Sequence, residues 1–123
     1  MVDQPQWYEQ ILDLQLRNNA DIWAQLQEHG VAEETQLQLG FTYMAPGQEE
    51  AEQLASFLVE ETDYEVESRT HNGEWFVFGV TQPTTVSSEL LDSWVEWMVA
   101  AGAAEGPCAF DGWQVVGGTG WAE

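Results

Sequence analysis

A chain of 123 residues, 44% hydrophobic and carrying seven Trp, has apolar surface enough for one buried core. That composition excludes intrinsic disorder and argues for one domain of ordinary size. Lys and Arg total two, Arg17 and Arg69, against 22 acidic residues, for a formal net charge of −20; a phosphate backbone or an anionic membrane surface would be repelled.

Direct nucleic-acid binding and membrane binding are therefore not expected, while a basic protein partner stays open. The same charge also fits a solvated surface adapted to high salt. No apolar run approaches the ~18–20 residues that cross a bilayer. The polar N-terminus, with Asp3, Pro5 and Glu9, lacks the basic and apolar regions of a signal peptide. Cys108 stands alone, so no internal disulfide forms, and a reducing cytoplasm is the expected location. His29, His71 and Cys108 show none of the short spacings of a zinc site, so neither metal nor cofactor is expected.

In chain order, Tyr8, Leu12, Leu16, Trp23 and Leu26 recur at helical spacing over residues 5–29, with Pro5 in a first turn and His29-Gly30 as a stop. Asn19 is a good N-cap, so the segment reads either as one helix or as two, 5–17 and 20–29. Residues 35–44 alternate as a strand, with Leu37, Leu39, Phe41 and Tyr43 on one face and Gln36, Gln38, Gly40 and Thr42 on the other. After Pro46-Gly47, a helix with Ala51, Leu54, Ala55, Leu58 and Val59 carries Glu49, Glu50 and Glu52 at its positive end.

Tyr64 to Arg69 alternates again, and Asn72-Gly73 is a strong hairpin signal leading into a strand from Glu74 to Thr81. Within that strand Trp75 and Val77 form one set and Phe76, Phe78 and Val80 the other. One set is expected to face helices and the other to pack under the first helix, because soluble monomers rarely expose so large an apolar patch. Ser87 or Ser88 caps a third helix, which Gly102 and Gly106-Pro107 close, and residues 108–116 form a last strand. In that strand Asp111-Gly112 predicts a bulge or sharp bend. Strict alternation would place Cys108, Phe110 and Gly112 on one face and Asp111 and Trp113 on the other. Trp113 either finishes the core or is aimed at the surface.

The element order is a helix followed by β-α-β-β-α-β. That is an α+β, ferredoxin-like arrangement, an antiparallel sheet with two helices on one face. Residues 1–117 are expected to form the single domain and 118–123 a loose tail.

No local signature of an enzyme is present. Gly117-Gly118-Thr119-Gly120 has no helix after it and no lysine, unlike a phosphate loop, and no nucleophile motif occurs. Paired carboxylates carry no information in a chain this acidic. No catalytic residue is assigned.

Several segments together resemble the regulator of ribonuclease activity B family. They are Leu26-Gln27-Glu28-His29-Gly30, Leu39-Gly40-Phe41-Thr42-Tyr43, Glu49 to Ala55, Asp63-Tyr64-Glu65-Val66, Gly73 to Val77, and Phe110-Asp111-Gly112-Trp113. The last is similar to the family's Tyr-Asp-Gly-Trp, with Phe110 in place of Tyr, and Gly117 to Glu123 stands where characterised members carry a long acidic tail. The resemblance implies a ferredoxin-like sheet, no catalytic site, and a protein that binds ribonuclease E and modulates RNA decay. Glu65, Glu67, Trp75, Asp111, Gly112 and Trp113 are the expected partner-binding residues, Trp as anchor and the acids as steering groups. An immunity or antitoxin-like protein that neutralises one toxin is the alternative. Oligomeric state is not fixed by the sequence.

Overall fold

A computed structural model describes residues 7–31, 35–105 and 107–119. Three helices and five strands follow in the order α1 (Tyr8–Glu28), β1 (Gln36–Ala45), α2 (Gln48–Glu61), β2 (Glu65–His71), β3 (Glu74–Val80), β4 (Thr84–Thr85), α3 (Ser88–Glu105) and β5 (Ala109–Thr119). The strands make one antiparallel sheet in which β1 pairs with β3, β4 and β5, and β2 pairs with β3. The protein is thus α+β, with one strand more than the pattern predicts. That extra strand, Thr84–Thr85 against Gln36 and Leu37, is too short for alternation to reveal.

The first helix is unbroken. Asn19 is not an N-cap but lies mid-helix and buried, its amide taken up by partners on other elements, so it does not compete for the helix backbone. The end falls at His29-Gly30. Gly30 N–H bonds the Gln27 carbonyl and Val31 N–H the Leu26 carbonyl, a Schellman closure with Leu26 and Val31 both in the core. Ser87 caps α3 through Oγ, which accepts from Leu90 N–H at 3.1 Å. The hairpin turn sits at Asn72-Gly73, with φ of 53° and 81°.

Leu37, Leu39, Phe41 and Tyr43 of β1 are all buried in the core, where Phe41 meets Trp94 and Tyr43 meets Met98 of α3. Tyr43 is completely enclosed. Its hydroxyl donates to the Met98 carbonyl of α3 at 2.6 Å, and its ring meets Phe110 edge-on with centroids 5.2 Å apart. Burial also raises the Tyr43 phenol well above its ordinary pKa. Close approach here needs Gly102. A Cβ on it would lie 2.5 Å from the Cys108 carbonyl oxygen and 2.6 Å from the Tyr43 ring. Gly102 is therefore a packing contact inside α3, not its end, and the helix continues to Glu105.

β5 departs from simple alternation. Thr42 pairs with Gly112 but Tyr43 pairs with Phe110, so Asp111 is the extra residue of a bulge. Gly112 takes φ of 138°, a conformation other residues rarely adopt. The bulge reverses the parity of the residues from Trp113 to Val115, after which a second register shift, between Val115 and Gly117, follows. Trp113 therefore shares the core side with Phe110 instead of the outer side with Asp111. β5 also extends to Thr119, with Gly118 and Thr119 opposite Leu37 and Gln36, beyond the expected end at 116. Residues 120–123 and Pro5 lie outside the described residues.

Candidate protein-docking face

The side of the sheet away from the helices is formed by the other parity of each strand. It presents Glu65, Glu67 and Arg69 from β2, Phe76, Phe78 and Val80 from β3, and Gly40, Thr42 and Met44 from β1. The expectation that α1 covers this face is corrected by the structure. α1 packs beside α3 and β5, tied there by Asn19, whose Nδ2 donates to Asp92 Oδ1 at 3.1 Å and whose Oδ1 accepts from Trp113 Nε1 at 2.8 Å. Phe76, Phe78 and Val80 are only partly buried and stand outside the core cluster.

The face is concave because its centre is small. Gly40 lies between Val80 and Gln114, and Thr42 between Phe78 and Gly112, so side chains rise at the edges and not in the middle. The resulting depression has a volume of about 660 Å³. Among the described residues no helix residue lines it. Val116, 48% exposed, leans over Gly40 and forms one wall.

Electrostatics set the rim. Glu65 and Glu67 stand on one side and Asp111 on the other, all exposed. Arg69 is the one cation in the described part of this face. It is ion-paired with Glu67, and its guanidinium lies 5.5 Å from the centre of the Phe78 ring. The face therefore offers an apolar floor, a partly exposed aromatic ring and carboxylates that exceed the local positive charge.

The six expected contact residues do not act alike. Glu65, Glu67, Asp111 and Gly112 come together at this depression. Trp113 reaches it from beneath. It is only 8% exposed, with its ring edge-on to Trp94 at 5.9 Å, so it supports the bulge and offers little surface. Trp75 packs from the opposite side of the sheet, against the core. Sequence reasoning missed Gly40, Thr42 and Val116 as parts of a surface, and expected the set that holds Phe78 to be covered. A glycine inside the clean alternation of β1 was the available signal.

A second cavity of about 370 Å³ lies between the β3–α3 loop, Tyr64 and Trp94. Its polar groups are already committed. Trp94 Nε1 donates to the Tyr64 hydroxyl at 2.9 Å, Gln82 Nε2 to the Asp63 carbonyl at 3.1 Å, and Leu39 N–H to Thr81 Oγ1 at 3.0 Å. Burial raises the Tyr64 phenol, and the Trp94 bond partly offsets this. Few groups are left there to orient a ligand.

Fold and face together define a small, acidic α+β protein with one sheet surface that no described helix covers. A family model described as regulator of ribonuclease activity B matches residues 16–115, and the chain belongs to that family. It is a family of regulatory proteins. No match was found among curated proteins. No helix among the described residues is long and apolar enough to cross a membrane.

Proposed function

We propose that the protein is a non-enzymatic cytoplasmic regulator that binds a ribonuclease of the ribonuclease E type through the open sheet face and slows RNA decay. The observation that carries this reading is the acid-rimmed depression around Gly40 and Thr42, covered by no described helix, in a chain of net charge −20. Glu65, Glu67, Asp111 and Gly112 would meet the partner, with Trp113 holding the Asp111 bulge in place. Trp75 contributes by fixing β3.

The fold behind it is read as a ferredoxin-like domain. The pairings of β5 with β1, β1 with β3 and β3 with β2 support that order, with Thr84–Thr85 as a short addition beside β1. A ribonuclease that binds RNA must carry basic surface, and an acidic protein competes for such surface by the same electrostatics. Steered association of this kind falls off steeply with salt.

The test is cleavage of a single-stranded RNA by purified ribonuclease E with and without the protein. Inhibition that fades as salt is raised, with no RNA bound by the protein itself, is the expected result. Undiminished cleavage at low salt would contradict the reading.

A further inference from the structure

We infer that the open face takes an arginine-bearing segment of its protein partner, and that Arg69 is a built-in occupant of the guanidinium position which the partner's arginine must share or displace. The inference rests on the docking reading above and adds the chemistry of the occupant. Charge complementarity selects that occupant. Glu65, Glu67 and Asp111 surround the depression, and Arg69, the one cation described on this face, stands beside it, held by Glu67 and Phe78, which line it. A second copy of the chain would set like charges against one another, and RNA would set phosphates against them.

Arginine fits better than lysine because of what Arg69 already does. Its planar guanidinium pairs with the Glu67 carboxylate while lying over the Phe78 ring. Both contacts favour a flat, delocalised cation over a compact ammonium. The side chain is exposed, so it can swing away. Next to it, the floor at Gly40 and Thr42, walled by Val80 and Val116, admits one aliphatic side chain. An extended segment alternating arginine with leucine would therefore place both groups, since its side chains alternate as those of any strand do.

Fluorescence anisotropy of a labelled arginine–leucine peptide, titrated with the full chain, tests this. Arg69→Ala should tighten binding about threefold to fivefold and Glu67→Gln should weaken it by a similar factor, the range an exposed ion pair commands. A peptide with citrulline for arginine should bind about tenfold more weakly or not at all. Both residues are exposed, and near-ultraviolet circular dichroism verifies that each variant keeps its packing. The inference is overturned if Arg69→Ala weakens binding or leaves it unchanged, if citrulline binds equally well, if RNA competes for the face, or if the chain pairs with itself there. Ribonuclease inhibition by the same variants separates the two readings. Inhibition that falls with Glu67→Gln but does not rise with Arg69→Ala leaves the regulator reading standing and sinks this one. Peptide effects as expected with inhibition untouched do the reverse.

Discussion

Trp113 Nε1 donates to Asn19 Oδ1 at 2.8 Å, joining the bulged strand to the middle of the first helix across 94 positions of sequence. Asn19 is 2% exposed, and its amide nitrogen reaches Asp92 of α3, so one side chain ties three elements together. Asn19→Ala leaves a buried indole N–H without its partner. It should destabilise the protein by about 2 kcal/mol, near the middle of the range for an orphaned buried donor. In a urea double-mutant cycle, Asn19→Ala and Trp113→Phe should fall clearly short of additivity.

Gly102→Ala separates helix propensity from packing. Alanine favours a helix by about 1 kcal/mol over glycine. The new Cβ, however, meets the Cys108 carbonyl oxygen at 2.5 Å, and backbone cannot easily retreat. Overpacking of this kind costs about 1–3 kcal/mol, so the net effect is a loss of stability and a lower Tm in thermal unfolding.

Cys108 gives a pH dependence. The thiol is raised from 9.0 to about 11, by burial first and by the Glu50 charge second. A group whose pKa is raised on folding holds its proton more tightly in the native state. Its contribution is therefore intact below pH 9 and is lost as pH climbs from 9 to about 11. Cys108→Ala should flatten the stability profile in that interval, measured by urea unfolding at several alkaline pH values. An unchanged slope would assign the alkaline limb to other groups, Tyr43 first.

Gly112→Ala asks whether the bulge matters to the surface as well as to the fold. At φ of 138° any side chain is strained, and a penalty of about 1–3 kcal/mol is expected. Partner affinity should fall further than the lost stability accounts for, because Asp111 moves with the bulge. Parallel measurement of Tm and binding separates the two.

Much of the fold was legible because the strands alternate. The parity of Leu37, Leu39, Phe41 and Tyr43 identifies a core face, and Asn72-Gly73 pins a two-residue turn whatever surrounds it. Asp111-Gly112 announced a bulge, but not that one inserted residue would turn Trp113 inward. Gly102 misled because a glycine needed for close packing reads like one that ends a helix. Asn19 left one helix or two open for the same reason, since a cap and a buried bridge use the same amide chemistry.

The site was legible only in part. The acids Glu65, Glu67 and Asp111 could be picked from their strand positions, but their convergence depends on which face α1 covers. α1 is held beside α3 and β5 by its apolar side chains packed on the core and by the Asn19 contacts, long-range pairings that no local pattern encodes.

The central claim is that the open sheet face, and not the acidic surface at large, holds the partner. Binding of ribonuclease E to the wild type and to a Glu65→Gln, Glu67→Gln double variant tests it most directly. A second variant serves as control, with Glu60→Gln and Glu61→Gln on α2 removing the same charge elsewhere. The account predicts that the sheet variant loses about tenfold or more in affinity while the α2 variant stays close to wild type, both melting as before. Equal losses from the two variants would contradict it and reduce the interaction to net charge.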